Sequence, residues 1–107
     1  MIVHTLVYRF PEDTDPALLE EFFTGLERLC LDSGLVTGFG RGPHLRLPVD
    51  DHARGMTATH VAQFSCPDME TLRKFSERPG THEFISGWRA RLSYEAAYAN
   101  HELFPLT

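Results

Sequence analysis

The sequence predicts an α+β fold, in which helices cover one face of a four-stranded antiparallel sheet. Three observations carry this prediction. Strand-like and helix-like segments follow one another in the order β-α-β-β-α-β, the second helical region is divided by a proline, and 107 residues are the length of one domain. This is the ferredoxin-like order, in which the first and third strands lie side by side in the centre of the sheet. We therefore expect a single domain over residues 1–107.

The first strand is predicted over Met1–Phe10. Both of its faces are largely apolar, which is typical of a central strand. The even positions carry Ile2, His4, Leu6, Tyr8 and Phe10, and the odd positions include Val3 and Val7.

The first helix is predicted to begin at Asp15 and to end before Gly34. Asp15 is a suitable N-cap, and Pro16 then occupies the first helical position, where its missing N–H is not needed. Apolar residues recur at helical spacing along one side: Leu18, Leu19, Phe22, Phe23, Leu26, Leu29 and Cys30.

The middle of the chain predicts two further strands. Leu35–Leu47 is a weak strand because Gly38, Gly40, Gly42 and Pro43 interrupt it, which indicates a bulge or a twisted edge. Pro48–Gly55 is polar and is predicted as a loop. Thr57–Cys66 is a stronger strand with an apolar even face.

The last third predicts two short helices and a closing strand. Pro67-Asp68 opens the first helix, which is expected to bury Met69, Leu72 and Phe75. Pro79 opens the second, with Phe84, Ile85, Trp88 and Leu92 on one side, and Tyr94–Phe104 returns as a strand.

The predicted architecture leaves one sheet face without a cover. Since the helices lie on the other face, Val3 and Val7 on the odd face of the first strand are expected to be bare. A second copy of the chain, packed sheet to sheet, would cover them, so the pattern predicts a homodimer.

Composition excludes several classes of partner. Ten basic and fifteen acidic side chains give a formal net charge of −5, which argues against a nucleic-acid binder. No apolar run approaches the roughly 20 residues of a membrane span, and no signal peptide is visible at the N-terminus. Two cysteines form neither a disulfide framework nor a metal-binding spacing, so we expect a cytoplasmic protein with free thiols.

Three of the six histidines are candidate catalytic residues. His4 and His60 lie on the even faces of neighbouring strands, and His82 lies in the first turn of the helix that Pro79 opens. All three are expected to reach the layer between sheet and helices, either as core histidines or as proton-transfer groups. Their spacing does not predict a metal site, and we expect no cofactor.

Aromatic residues could line a cleft in the same layer. Phe22 and Phe23 either fill the core or line a pocket for a flat apolar ligand, and both interpretations stay open at this point. Tyr8 lies four residues after His4 on the same strand face.

In their order and spacing, three groups of residues resemble the stress-responsive A/B barrel (Dabb) family, and the resemblance spans nearly the whole chain. The groups are Met1-Ile2-Val3-His4 with Val7 and Phe10, then Thr59-His60-Val61 with Phe64, and finally Phe75, Pro79, His82 and Phe84. The resemblance implies a dimeric α+β barrel. One member is a plant polyketide cyclase, which closes a poly-β-ketide by an intramolecular aldol condensation without a cofactor.

Carried over by position, the strand histidines of that cyclase correspond to His4 and His60. Its helix histidine corresponds approximately to His82, and an alignment without a gap selects Thr81 instead. The choice matters because neighbouring helical residues differ in direction by about 100°. Its pocket tyrosine corresponds to Phe75, which has no hydroxyl, so Tyr8 becomes the candidate replacement.

Three functions follow as expectations. The first is a small-molecule binding protein or cofactor-independent enzyme for an aromatic or polyketide-like compound, with aldol or proton-transfer chemistry at the histidines. The second is a non-catalytic stress-response protein, and the third is a cofactor-independent monooxygenase on the same barrel. An open cavity of mixed polarity between sheet and helices would favour the first, and a filled one the second.

Overall fold

A computed structural model describes all residues 1–107 and confirms the predicted α+β fold. The strands are β1 (Ile2–Arg9), β2 (Gly38–Pro43), β3 (His60–Cys66) and β4 (Glu95–Glu102), and the helices are α1 (Pro16–Leu31), α2 (Met69–Glu77) and α3 (Pro79–Arg91). None of the helices is both long and apolar enough to cross a membrane.

The sheet is antiparallel with the strand order β2-β3-β1-β4, so β1 and β3 lie in the centre as expected. Its register decides which side chains can meet. His4 on β1 lies opposite Phe64 on β3 and opposite Asn100 on β4. Tyr8, four residues further along β1, lies opposite His60 on β3 and Ala96 on β4.

The helix boundaries follow the predicted capping residues. Asp15 caps α1 by accepting a hydrogen bond from the backbone N–H of Ala17 at 2.9 Å, and Pro16 is the first helical residue. Asp68 caps α2 by accepting from the N–H of Thr71 at 2.8 Å. Pro79 opens α3 at the position expected for it.

Some predicted boundaries were too wide. Of Leu35–Leu47, only Gly38–Pro43 forms the strand β2, and one backbone hydrogen bond at each end, from the N–H groups of Thr37 and His44, continues its pairing. The loop predicted over Pro48–Gly55 contains a short 3₁₀ helix, Pro48–His52. Met69 was expected to be buried but is 53% exposed, because it is the first residue of α2 and lies at the end of the helix.

The core fills the space between the helices and the sheet and is rich in aromatic rings. Phe22 of α1 is fully buried, with ring centroids 5.0 Å from Phe23, 5.6 Å from Tyr8 and 5.5 Å from Trp88. Phe23 is buried equally well. Of the two interpretations left open for these phenylalanines, the structure selects the core.

The opposite face of the sheet is only partly open. Val3, expected to be bare, is just 5% exposed, which corrects that prediction. The end of the chain lies beside it: the N–H of Leu103 donates to the carbonyl of Met1 at 3.0 Å, and the ring of His101, opposite Val3, stacks on Phe104 at 4.3 Å.

The remainder of this face has no cover within the chain. Val7 is half-buried and lies between Val61 of β3 and Ala97 of β4. The glycines of β2 align with Ser65, Gln63 and Val61 and line a shallow depression of about 430 Å³. An apolar strip and a neighbouring depression lined by the three β2 glycines are therefore available to a partner.

Candidate functional site

A cavity of about 550 Å³ lies between the sheet and the helices. β1, β3 and β4 form its floor, and α1, α2 and α3 form its walls. Ten of the fifteen lining residues are hydrophobic. The cavity opens at the β4 edge, where Tyr98 is 68% exposed. It is thus the open cavity of mixed polarity that the first of the three functions requires.

His4 is the histidine that lines this cavity. Its ring lies between two aromatic neighbours, 4.7 Å from the centroid of Phe64 and 4.9 Å from that of Tyr98. Nδ1 forms a hydrogen bond of 2.6 Å with Oδ1 of Asn100, its direct cross-strand partner. Nε2 has no hydrogen-bond partner in the chain and is not sealed off by other atoms.

These contacts define the protonation of the imidazole. A carbonyl oxygen such as Oδ1 of Asn100 can only accept, so Nδ1 carries the hydrogen and Nε2 keeps its lone pair. Burial lowers the pKa of His4, and this effect outweighs the opposing effect of the hydrogen bond to Asn100. His4 is therefore a neutral, oriented base at pH 7.

The lowered pKa of His4 predicts a pH-dependent contribution to stability. Below pH 6.5 the unfolded chain binds a proton at this position that the folded chain resists, so the free energy of unfolding falls as the pH decreases. One proton limits the slope to about 1.4 kcal/mol per pH unit. Denaturant unfolding between pH 5 and 7.5 should give a smaller slope for His4→Gln than for the unmodified protein. Equal slopes would contradict the pKa shift.

Tyr8 lines the opposite end of the cavity, on the predicted face of β1. Its side chain is buried, but its hydroxyl has no hydrogen-bond partner in the chain and remains accessible. Burial raises the pKa of Tyr8, so the phenol stays protonated and is available as a donor. Tyr94 lies beside it, with ring centroids 5.9 Å apart.

His60 lies on the helix side of the sheet, as expected, but outside the cavity. Its ring packs 5.5 Å from Phe10 and 5.3 Å from Phe23, and its Nδ1 is 3.0 Å from Oγ1 of Thr59. Burial, followed by the charge of Arg41, lowers the pKa of His60. The expectation that His4 and His60 share one cavity is therefore wrong: His60 lies opposite Tyr8, four strand positions from Phe64, the cross-strand partner of His4, and does not line the cavity.

His82 also lies outside the cavity. It is exposed on α3, with Nε2 at 3.5 Å from the hydroxyl of Ser86. Thr81 lines the cavity instead, and its hydroxyl donates to the carbonyl of Phe75 at 2.8 Å. Between Thr81 and His82, the helix thus presents Thr81, as a rotation of about 100° per residue requires.

Of the three phenylalanines named as candidate ligand contacts, Phe75 contributes to the lining, whereas Phe22 and Phe23 do not. The sequence pattern did not single out several lining residues with polar groups, among them Arg89, Tyr94, Tyr98 and Asn100. The three near β4 could have been found, because alternate residues of a strand share a face and Tyr94, Tyr98 and Asn100 all have even numbers. Nowhere do three His, Cys, Asp or Glu side chains group closely enough to hold a metal ion.

Comparison with solved structures confirms the fold. At3g17210 from Arabidopsis thaliana superposes with a TM-score of 0.82 at 16% identity, over 100% of this chain and 99% of that one. A hydroxynitrile lyase from Passiflora edulis gives 0.78 at 18% identity, over 97% of each chain. A Dabb family protein with a ferredoxin-like fold from Mesorhizobium loti gives 0.74 at 11% identity, also over 97% of each chain. The Dabb-like fold expected from the sequence is therefore present.

The same fold occurs in proteins with different roles. SnoaB, a cofactor-independent oxygenase from Streptomyces nogalater, has a TM-score of 0.71 at 14% identity. A dimeric ferredoxin-like protein from Thermobifida fusca has a TM-score of 0.71 at 17% identity. No family model matches the sequence, and no curated protein matches it. At these identities the likeness defines the fold alone, and any chemistry has to be inferred from the residues of the cavity.

Proposed function

We propose that the cavity binds a small aromatic or polyketide-like compound and that His4 transfers a proton within it. One observation carries the proposal: His4 presents an unpartnered Nε2 in an open cavity while Asn100 holds Nδ1. A histidine that served only the core would have both nitrogens satisfied or sealed. The open cavity favours this function over the non-catalytic alternative.

The walls fit a flat, largely apolar ligand. Leu6, Leu26, Phe64 and Phe75 supply hydrophobic surface, while the polar groups lie at the two ends. Such a division orients a ligand along the cavity, because apolar contacts hold its body and hydrogen bonds select its ends. A carbonyl compound with acidic C–H bonds meets these requirements.

The chemistry needs only the residues present. Nε2 of His4 accepts the proton from a carbon beside a carbonyl group, which leaves an enolate and an imidazolium. The enolate carbon attacks a second carbonyl of the same molecule, and the resulting alkoxide takes the proton back from Nε2. The base is regenerated, and no electrons enter or leave. The lyase and the cofactor-independent oxygenase of the same fold support an enzymatic role.

We further propose that the protein is a cytoplasmic homodimer, paired through the open sheet face. The strip around Val7 and the depression floored by the β2 glycines offer a second copy a surface for close packing. The dimeric ferredoxin-like protein from Thermobifida fusca supports a dimeric state. The free thiols of Cys30 and Cys66 fit a reducing compartment.

Ligand screening coupled to imidazole NMR tests the proposed site. A panel of aromatic ketones and β-diketones is screened for a rise in melting temperature, and each hit is added to protein labelled with ¹⁵N in its histidines. Nε2 of His4, assigned with His4→Gln, should shift on binding, whereas His82, exposed on the outside of α3, serves as the internal control. Hits that stabilise the protein without moving His4 would overturn the proposal. Oxygen uptake by the complex would instead indicate an oxygenase.

A further inference from the structure

The cavity lining is uneven in charge. Its fifteen residues include no aspartate or glutamate, and Arg89 is the one permanently charged side chain among them. In a chain whose formal net charge is −5, this is a local reversal of sign. A cavity with a cation and no acid favours an anionic ligand group over a cationic one.

Arg89 is held in place without being neutralised. Its guanidinium stacks 4.2 Å from the centroid of the Tyr94 ring, and one terminal nitrogen donates to the carbonyl of Tyr94 at 2.9 Å. No carboxylate lies within 4.0 Å of it. By contrast, Arg91 on the same helix reaches Glu21 at 3.6 Å and does not line the cavity. The remaining N–H groups of Arg89 therefore stay available for a bidentate acceptor.

Two phenols belong to the same end of the cavity. Tyr8 and Tyr94 both line it, and neither hydroxyl has a hydrogen-bond partner or is sealed off. Arg89 lies near enough to act on the pKa of each phenol, where its charge opposes the dominant effect of burial. One guanidinium and two neutral O–H donors form a set suited to a carboxylate, which accepts several hydrogen bonds at once.

We infer that the ligand of this cavity is an elongated carboxylic acid, bound with its carboxylate at Arg89 and its reactive carbon at His4. This inference rests on the proposed function and names its substrate class. Tyr8 and His4 are four residues apart on β1, a distance of roughly 13 Å along a strand. The ligand therefore has an extended, largely apolar body of about this length between its carboxylate and the carbon that loses the proton.

A pair of probes that differ in charge tests the inference. 2-Naphthoate and 2-naphthamide have nearly the same shape, and their affinities are measured by isothermal titration calorimetry at pH 7.5. The unmodified protein should bind naphthoate at least tenfold more tightly. Arg89→Gln should abolish this preference, Arg89→Lys should keep part of it, and Arg91→Gln is the matched control that should leave it unchanged. The melting temperature of each variant shows that it is folded.

The outcomes separate this inference from the proposed function. Equal affinities for the two probes, with the His4 resonance shifting for both, would overturn the preference for a carboxylate. The proposed binding function of the cavity would still stand. A preference that survives in Arg89→Gln would equally overturn the role of Arg89. If neither probe binds, both the inference and the proposed binding function fall.

Discussion

Replacing Val7 with aspartate is expected to dissociate the proposed homodimer. Val7 lies at the middle of the open sheet face, between Val61 and Ala97, and would be enclosed by the partner sheet. A carboxylate buried there would lose its hydration, and Arg9, on the same face of β1, is already paired with Glu95. The expected cost is roughly 3–5 kcal/mol, or a weakening of the dimer by more than a hundredfold.

Sedimentation velocity at micromolar concentration measures this effect directly. The unmodified protein should sediment as a dimer and Val7→Asp as a monomer with an unchanged far-ultraviolet spectrum. Met69→Asp is the matched control, because Met69 is exposed at the start of α2 on the helical side, and it should remain dimeric. A monomeric unmodified protein, or a dimeric Val7→Asp variant, would contradict sheet-to-sheet pairing.

The elements of the fold were predictable because their signals are local. Asp15-Pro16, Asp68 and Pro79 mark the helix starts by capping and by the missing N–H of proline, and all are found in these roles. The burial of Val3 was not predictable, since it depends on the chain end folding back beside the sheet. That contact joins residues about a hundred positions apart, and no periodicity records it.

The site was predictable only in part, for a similar reason. A strand fixes side-chain direction by parity, so His4 and Tyr8 could be assigned correctly to the cavity face. A helix does not allow this without its rotation being known, and α3 presents Thr81 and Arg89 to the cavity but leaves His82 outside. His60 has the right parity, yet it packs beside the rings of Phe10 and Phe23 and does not line the cavity, which is a packing outcome that the pattern alone does not contain.

His4→Gln is expected to lower turnover by roughly 10²- to 10⁴-fold, the usual contribution of a general base. Glutamine has no basic nitrogen, so it cannot accept the proton. Because it occupies similar space, ligand affinity should change little. The measurement is the rate of product formation, followed by mass spectrometry, with the compound selected by the thermal screen. His60→Gln and His82→Gln are the matched controls, because neither residue lines the cavity.

The pH profile identifies the group behind that loss. Because burial lowers the pKa of His4 in the free protein, the acid limb of kcat/KM should lie below pH 6.5 in the unmodified protein. Asn100→Asp would place a carboxylate at the hydrogen bond to Nδ1, favour the imidazolium and move the limb to higher pH. Asn100→Leu should lower kcat through loss of ring orientation while KM stays nearly constant. If His60→Gln lost most of its turnover while His4→Gln kept full activity, the base would be His60 on β3. That result would refute the assignment of His4.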